Sequence, residues 1–161
     1  MAFDVDGVLT DGSVWWSPLG EEWKRFHFAD IMGISLARRA GLVIALISGE
    51  DSPLVSRYAE KMKIRHVYKG TRDKAAALRH FSESTAIALE SIGFMGDDVN
   101  DLPAMAIAGI SAAPSNANPQ VLAKASFRCA LRGGEGAVRE FIDAWLAARN
   151  LDPLSLFQDR P

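Results

Sequence analysis

The sequence predicts an α/β fold in which a doubly wound, mainly parallel sheet carries helices on both faces. Two observations predict this fold class. Short apolar runs alternate with helix-like segments along the chain, as they do in successive βαβ units. Glycine and polar residues follow several of the runs, as expected at the ends of buried strands. The length of 161 residues suits one domain with its own core.

The elements are predicted from apolar periodicity and from their flanking turn residues. Strands are expected at 1–3, 42–47, 66–68, 91–95, 109–113 and 126–131, and helices at 34–40, 53–63, 74–83, 102–108, 119–124 and 136–149. Ser52-Pro53 and Asn118-Pro119 are typical helix starts, because a capping residue precedes a proline suited to the first turn. We therefore expect a single catalytic domain over 1–150 and a tail without helical periodicity over 151–161.

The composition limits the classes of partner. Lys and Arg number 18 and Asp and Glu number 20, so the formal net charge is −2 and no basic surface for nucleic acid or for an anionic membrane is indicated. Cys129 is the single cysteine, which excludes an intrachain disulfide and suits a reducing compartment. No apolar run approaches the roughly 20 residues needed to span a bilayer. We expect a cytoplasmic protein that acts on a small molecule.

Polar side chains collect where the predicted strands end. Because ligands of doubly wound folds bind beyond the carboxyl ends of the strands, these residues are expected at one edge of the sheet. They are Asp4 and Asp6 after the first run, Ser48 and Gly49 after the second, Lys74 beyond the third, and Asp97, Asp98 and Asp101 after the fourth. So many carboxylates indicate a bound cation, and ligands that are all oxygen favour Mg²⁺.

These residue types fit phosphate chemistry. Asp4 is the candidate nucleophile, and Asp6 the candidate general acid and base. The hydroxyl of Ser48 and the backbone N–H groups from Gly49 onwards would bind phosphate oxygens, and Lys74 would neutralise the transferring group. A second set would serve the metal: Asp97 would bind it, while Asp98 and Asp101 would either ligate it through water or orient their neighbours.

The four stretches "DVDGVLTDG", "ISGE", "RDKAAAL" and "GDDVNDLPAM", in this order, resemble the haloacid dehalogenase-like phosphohydrolase superfamily. The resemblance implies that Asp4, the backbone carbonyl of Asp6 and Asp97 bind Mg²⁺. Neither gap between these motifs has room for the cap domain that is usual in the superfamily. A hairpin at about 13–28 with Trp15, Trp16 and Trp23 stands in its place.

The chain is most similar in these features to the capless 3-deoxy-ulosonate phosphate phosphatases. That resemblance implies a homotetramer joined through the hairpin, with each site completed by a neighbour. "RGGEGAVREF" at 132–141 is similar to the C-terminal motif of this subfamily. Glu50 stands where the eight-carbon enzymes typically have Arg, which favours a nine-carbon substrate over the alternative 3-deoxy-D-manno-octulosonate 8-phosphate. Lys61 is a candidate contact to a sugar carboxylate in a neighbouring subunit, whereas "ADIMGI" departs from the subfamily pattern and assigns no role to Asp30.

Two other classes remain as alternatives at this point. A receiver-type signalling domain also combines a phosphorylated Asp, Mg²⁺, a hydroxyl and a Lys, although the third strand here ends in "VYKG" without an Asp. A non-catalytic assembly domain would be expected to lack Asp4 or Asp6. Lys24 and Arg25 are interpreted as solvated charges. Because only three residues precede Asp4, fewer than in an ordinary strand, we expect residues upstream of Met1 to raise stability.

Overall fold

The structure is a computed structural model that describes residues 1–158, and it has the predicted α/β architecture. Its strands are β1 (Ala2–Phe3), β2 (Trp15–Trp16), β3 (Glu22–Trp23), β4 (Ala45–Ile47), β5 (His66–Tyr68), β6 (Gly93–Met95), β7 (Ile110–Ala113) and β8 (Phe127–Arg128). Its helices are α1 (Phe28–Arg39), α2 (Pro53–Lys61), α3 (Lys74–Thr85), α4 (Leu102–Ile107), α5 (Pro119–Lys124), α6 (Ala137–Ala147) and α7 (Pro153–Gln158). Short 3₁₀ turns lie at Leu89–Ser91 and Val99–Asp101.

The main sheet has the strand order β5-β4-β1-β6-β7-β8, and every neighbouring pair in it is parallel. Counted along the chain, its six strands lie in the order 3-2-1-4-5-6, which is that of dinucleotide-binding folds. Flavodoxin-like receivers have the order 2-1-3-4-5 instead, so the receiver alternative is wrong. The strand order reverses between β1 and β6, and a ligand crevice is expected there.

Two apolar layers cover the two faces of this sheet. Along a strand successive side chains point to opposite faces, and the register repeats this alternation across the sheet. One layer contains Phe3, Leu46 and Met95, packed under α1, α2 and α6. The other contains Ala2, Ala45 and Phe94, packed under α3, α4 and α5. The short β1 is therefore buried on both faces at the centre of the domain.

Both predicted helix starts are confirmed by their capping contacts. The Ser52 hydroxyl accepts a hydrogen bond from Leu54 N at 3.3 Å, and Asn118 Oδ1 accepts one from Gln120 N at 3.0 Å. A third cap matters more for the site. Asp73 Oδ1 accepts from Ala76 N at 2.9 Å, which starts α3 at Lys74.

Helix α1 begins at Phe28, six residues before its predicted start at 34. The additional residues at 28–33 include Gly33, which is a poor helix former. Its place in the helix is explained by packing. A Cβ at Gly33 would lie 2.9 Å from Cδ of Arg139 on α6, closer than side-chain atoms normally approach. Gly33 thus allows the backbones of α1 and α6 to pack closely, and this contact outweighs the local helix propensity.

The segment after Asn150 contains a short helix that the periodicity did not predict. Helix α7 packs against α1, where the Arg39 guanidinium donates to the carbonyl oxygens of Leu156 and Phe157 at 3.2 and 2.9 Å. These contacts with α1 explain why so short a stretch forms a turn of helix. None of the helices within 1–158 has the length and apolarity that crossing a bilayer requires.

A two-stranded antiparallel hairpin, β2 and β3, stands where a cap domain would be inserted, as predicted. Trp15 pairs with Trp23 and Trp16 with Glu22. The three tryptophans are all exposed, Trp16 at 70%, so the hairpin has no core of its own. It lies across the edge of the main sheet where the crevice is expected, and its contacts there are described with the site.

Candidate active site

Most of the predicted site residues come together at a cleft of about 280 Å³ at the carboxyl ends of β1, β4 and β6. This is where the strand order reverses, so the loops after β1 and β6 diverge and leave space between them. The cleft is lined by Asp4, Asp6, Gly12, Gly49, Glu50, Lys74, Asp97, Asp98 and Asn100.

The loop after β1 is held in shape by its own backbone. Val5 O accepts hydrogen bonds from Leu9 N and Thr10 N at 2.9 and 3.0 Å, and the Thr10 hydroxyl accepts from the N–H groups of Gly7 and Gly12, both at 3.3 Å. The loop therefore turns back on itself, and Asp4 and Asp6 project from a rigid base.

The glycine-rich segment at 132–136 supports this loop from outside. Gly134 N donates to Val8 O at 3.0 Å, and a Cβ at Gly133 would overlap the carbonyl oxygen of Gly7. The close approach of the two backbones requires glycine at 133. The C-terminal motif thus has a structural contact with the loop that carries both candidate catalytic aspartates.

Lys74 joins two carboxylates at the base of the cleft. Its ammonium lies 2.8 Å from Asp4 Oδ1 and 2.7 Å from Asp101 Oδ1, and all three side chains are buried. Burial alone lowers the pKa of Lys74, but the charges of Asp4 and Asp101 outweigh it, so the net pKa is raised and the ammonium stays protonated.

Asp101 holds three neighbouring groups in place by accepting their hydrogen bonds. Its Oδ1 accepts from Lys74, and its Oδ2 accepts from the backbone N–H groups of Asp97 and Asp98 at 3.0 and 3.2 Å. Asp98 is exposed, and its Oδ1 accepts from Val99 N at 2.8 Å and from Asn118 Nδ2 at 3.2 Å. Two roles were open for Asp98 and Asp101: ligation of the metal through water, or orientation of neighbouring groups. These contacts favour the second role.

The arrangement of carboxylates fits a hard divalent cation. One oxygen each from Asp4, Asp97 and Asp101 lies within 4.8 Å of the others. Both oxygens of Asp101 are already engaged, so the carboxylates left for a cation are those of Asp4 and Asp97. Burial, followed by repulsion from Asp101, raises the pKa of Asp97 to about 6 and that of Asp4 well above its ordinary value. A cation would relieve this repulsion, and the all-oxygen donor set fits Mg²⁺.

Ser48 and Gly49 follow β4 as predicted, but they differ in position. Ser48 is fully buried, and its hydroxyl accepts a hydrogen bond from Glu50 N at 3.1 Å. This bond stabilises the turn after β4. Gly49 and Glu50 are exposed and line the cleft. The phosphate-binding role of Ser48, Gly49 and Lys74 stays a prediction, and of the two residues after β4 it is Gly49 that lines the cleft.

Lys24 is a residue of the site and not the solvated charge that its sequence position indicates. The Lys24 side chain is 2% exposed, and its ammonium lies 2.8 Å from Asp6 Oδ1 and 2.7 Å from Glu50 Oε2. The signal for it lies in the folded hairpin and not in the sequence. Exposure alternates from residue 21 to 25, with positions 22 and 24 less exposed than 21, 23 and 25. That period of two directs Glu22 and Lys24 towards the domain.

Two further residues lie away from the cleft of their own chain. Lys61 lies in a separate groove at the end of α2, with its ammonium 5.6 Å from the centre of the Phe28 ring. Asp30 on α1 is buried, and its carboxylate accepts from the backbone N–H groups of Gly136 and Arg139 at 3.2 and 2.8 Å. The role that sequence left open for Asp30 is thus to cap the N-terminus of α6.

Comparison with known proteins identifies the class that this fold and site define. Residues 24–142 match the model of the haloacid dehalogenase-like hydrolases, and the chain belongs to this family, as predicted. It is 37% identical over 149 residues to the 3-deoxy-D-manno-octulosonate 8-phosphate phosphatase KdsC of Escherichia coli K12, covering 92% of this chain and 79% of the relative.

Solved structures give the same assignment. The 3-deoxy-D-manno-octulosonate 8-phosphate phosphatase of Moraxella catarrhalis, in complex with magnesium ion, phosphate ion and a KDO molecule, superimposes with a TM-score of 0.93 at 34% identity, over 98% of this chain and 91% of that one. The cobalt-bound deoxy-D-mannose-octulosonate 8-phosphate phosphatase of Haemophilus influenzae gives a TM-score of 0.92 at 34% identity, over 97% and 94%. The resemblance to ulosonate phosphate phosphatases is therefore confirmed.

Proposed function

We propose that this protein is a Mg²⁺-dependent phosphatase that hydrolyses the terminal phosphate ester of a 3-deoxy-ulosonate. The observation that carries the proposal is the buried Asp4 carboxylate, which faces the cleft with Lys74 at 2.8 Å and Asp97 beside it. A buried carboxylate paired with an ammonium at the cleft is suited to attack on phosphorus. Relatives of this chain are phosphatases of this class, one of them with magnesium and phosphate bound.

In the first chemical step Asp4 attacks phosphorus, and the bond from phosphorus to the sugar oxygen breaks. Asp6, in its acid form, gives its proton to the departing oxygen. In the second step the Asp6 carboxylate takes a proton from water, whose oxygen attacks the phosphorus of the aspartyl phosphate. Inorganic phosphate leaves, and Asp4 is regenerated as a carboxylate. Each of the two aspartates thus ends the cycle in its starting protonation state.

The remaining residues position and neutralise the transferring group. Lys74 balances negative charge on it, and Asp101 keeps Lys74 in place. The backbone N–H groups beyond Ser48 and Gly49 would hold phosphate oxygens. Asp4, Asp97 and, as the family resemblance implies, the backbone carbonyl of Asp6 would hold Mg²⁺, which would supply charge stabilisation for phosphoryl transfer.

The substrate best supported is 3-deoxy-D-manno-octulosonate 8-phosphate, which the similar phosphatases act on according to their names. A nine-carbon 2-keto-3-deoxynononate 9-phosphate is the second candidate, because of Glu50. The Glu50 carboxylate lies at the cleft but is paired with Lys24 at 2.7 Å, so it presents less net charge to a substrate than its sequence position indicates. That pairing weakens the argument for the longer acid.

We further propose that the protein acts as a homotetramer joined through the hairpin. Trp16, Leu19 and Phe28 are 70%, 89% and 76% exposed, an apolar surface of the kind that marks an interface. Within residues 1–158 no cap domain covers the cleft, and Lys61 lies outside it. A neighbouring subunit would both cover the apolar hairpin and bring its Lys61 towards the sugar carboxylate.

The test is a phosphate-release assay on the eight-carbon and nine-carbon ulosonate phosphates and on generic sugar phosphates. We expect turnover by the wild-type protein with Mg²⁺, loss of turnover after chelation, and a higher kcat/KM for an ulosonate phosphate than for generic esters. Asp4→Asn should abolish turnover. Normal turnover by Asp4→Asn would refute the mechanism, whereas equal kcat/KM on all esters would refute the substrate assignment alone.

A further inference from the structure

Lys24 is an unusual lysine, because its charge is enclosed by three carboxylates from three parts of the chain. Its ammonium lies 2.8 Å from Asp6 Oδ1, 2.7 Å from Glu50 Oε2 and 3.7 Å from Glu22 Oε1. Asp6 follows β1, Glu50 follows β4, and Lys24 itself follows β3 of the hairpin. The side chain is 2% exposed, whereas the neighbouring Arg25 is 49% exposed.

The hairpin that carries Lys24 is itself tied to the domain. Glu22 Oε1 accepts from the Ser52 hydroxyl at 3.1 Å, and Glu22 Oε2 accepts from Trp16 Nε1 at 3.2 Å. Glu22 therefore links the hairpin strands to the N-terminus of α2. The position of the Lys24 ammonium is thus determined by contacts on both of its sides and does not depend on Asp6 alone.

Asp6 needs such support more than the other aspartate does. The Asp6 side chain is 32% exposed, and the Asp4 side chain is 7% exposed with Lys74 beside it. A general acid must lie within hydrogen-bond reach of the leaving oxygen, and a displacement of about 1 Å is costly in rate. An exposed carboxyl without a partner would spend part of its time in other rotamers.

We propose that Lys24 is a positioning residue, which holds the Asp6 carboxyl towards the leaving oxygen of the substrate. The inference rests on the proposed function and adds a residue to it. The ammonium occupies Oδ1 of Asp6, so in the acid form the proton sits on Oδ2, and this oxygen donates it. The same ammonium also binds Glu50. A sugar group that contacts Glu50 would therefore also affect the position of the Lys24 ammonium, and through it the Asp6 carboxyl.

Two substrates separate this role from a merely structural one. An alkyl phosphate, such as the sugar-acid phosphate, has a strongly basic leaving oxygen that needs a proton. The leaving group of p-nitrophenyl phosphate is weakly basic and departs without one. In the first chemical step, measured as leaving-group release in a single turnover, a variant with a misplaced general acid should therefore be slow on the first substrate and little changed on the second, whereas a damaged fold slows both.

The variant is Lys24→Met, with Arg25→Met as the matched control, since Arg25 is the next residue on the same hairpin and pairs with Asp11 and Glu135 instead. We expect Lys24→Met to lower the single-turnover rate of leaving-group release from the sugar-acid phosphate by about 10²-fold, the lower end of the range for general acid catalysis. For p-nitrophenyl phosphate this rate should fall less than about 5-fold, since little proton transfer is lost in this step. Arg25→Met should resemble the wild type on both, and Lys24→Arg should recover part of the lost rate.

An unchanged ratio of the two leaving-group release rates in Lys24→Met overturns the inference and leaves the phosphatase assignment intact. If Lys24→Met does not fold, as judged by thermal unfolding, Lys24→Gln replaces it. We then expect a smaller change of the ratio in the same direction, and an unchanged ratio again overturns the inference. A wild-type protein that hydrolyses neither ester overturns the proposed function itself.

Discussion

Gly7 and Asp97 approach each other so closely that a Cβ at Gly7 would overlap the Asp97 carboxylate. Gly7 follows the first strand and Asp97 follows β6, so this contact joins the two loops that border the cleft. The φ angle of Gly7 is +90°, which L side chains rarely adopt. One glycine thus satisfies both a backbone requirement and the space needed by a candidate metal ligand.

Gly7→Ala should displace Asp97 and weaken Mg²⁺ binding by about tenfold or more, in addition to a strain cost of about 1–3 kcal/mol. Titration calorimetry with Mg²⁺ measures the first effect and urea unfolding the second. Gly20→Ala is the matched control, because Gly20 has a φ of +82° but nothing within 4 Å of its Cβ position. Equal Mg²⁺ affinities in the two variants would contradict the role of the Gly7 contact.

Asp101→Asn should reduce both stability and turnover. The single amide oxygen of Asn can accept either from Lys74 or from the N–H groups of Asp97 and Asp98, but not from both. The NH₂ group would face the remaining donors and cannot accept from them. We expect a loss of about 2 kcal/mol, the range for a hydrogen bond to a charged group, and a lower kcat because Lys74 shifts. The control is Asp98→Asn, at an exposed cap of the adjacent turn, which should cost less on both measures.

The pH dependence of Mg²⁺ binding follows from the raised pKa of Asp97. Its carboxyl is ionised in the unfolded chain above about pH 4, but in the metal-free folded protein only above about pH 6. The metal-free protein therefore loses stability as the pH rises from about 4 to 6, and Mg²⁺ should reverse that loss. Protons compete with the cation below pH 6, so its Kd should rise at least about tenfold per pH unit there, because the pKa of the second ligand, Asp4, is raised as well. Calorimetry at pH 5, 6 and 7.5 checks this, and a constant Kd would contradict it.

Asp30→Ala should destabilise the protein and leave the chemistry intact. Loss of the cap of α6 is expected to cost about 1–2 kcal/mol, because the N–H groups of Gly136 and Arg139 lose a buried acceptor. Asp152→Ala removes the acceptor at the start of α7, where water can replace it, and should cost less. Urea unfolding gives the two values. A large fall in kcat for Asp30→Ala with unchanged stability would show that the capping role is not the main one.

Substitution of exposed apolar residues by Glu tests whether the hairpin surface joins the subunits. If the apolar hairpin joins the subunits, Trp16→Glu and Leu19→Glu should shift the mass measured by light scattering from tetramer towards monomer. Leu154→Glu on α7 is the control, since Leu154 is 60% exposed and lies outside the hairpin. A wild-type monomer with full activity would refute both the tetramer and the completion of the site by a neighbour.

Much of this site was predictable from local sequence. The aspartates, Ser48 and Lys74 stand at fixed distances after apolar runs, and parallel strands bring such positions to one edge. Lys24 was not predictable in the same way, because an exposed-looking hairpin lysine becomes a site residue only when the hairpin packs against the domain. The nine-carbon preference rested on the charge of Glu50, and that charge acquires its partner only in the folded chain.

By itself the sequence determined the fold class, the family and the residues that approach the cleft, since strand periodicity, helix caps and motif order are properties of neighbouring residues. The tertiary structure alone decided the start of α1, the helix after Asn150, the cap of α6 by Asp30 and the pairing of Lys24 with Asp6. Each of these depends on a contact between segments distant along the chain, and its free energy is gained only once the two segments are packed together.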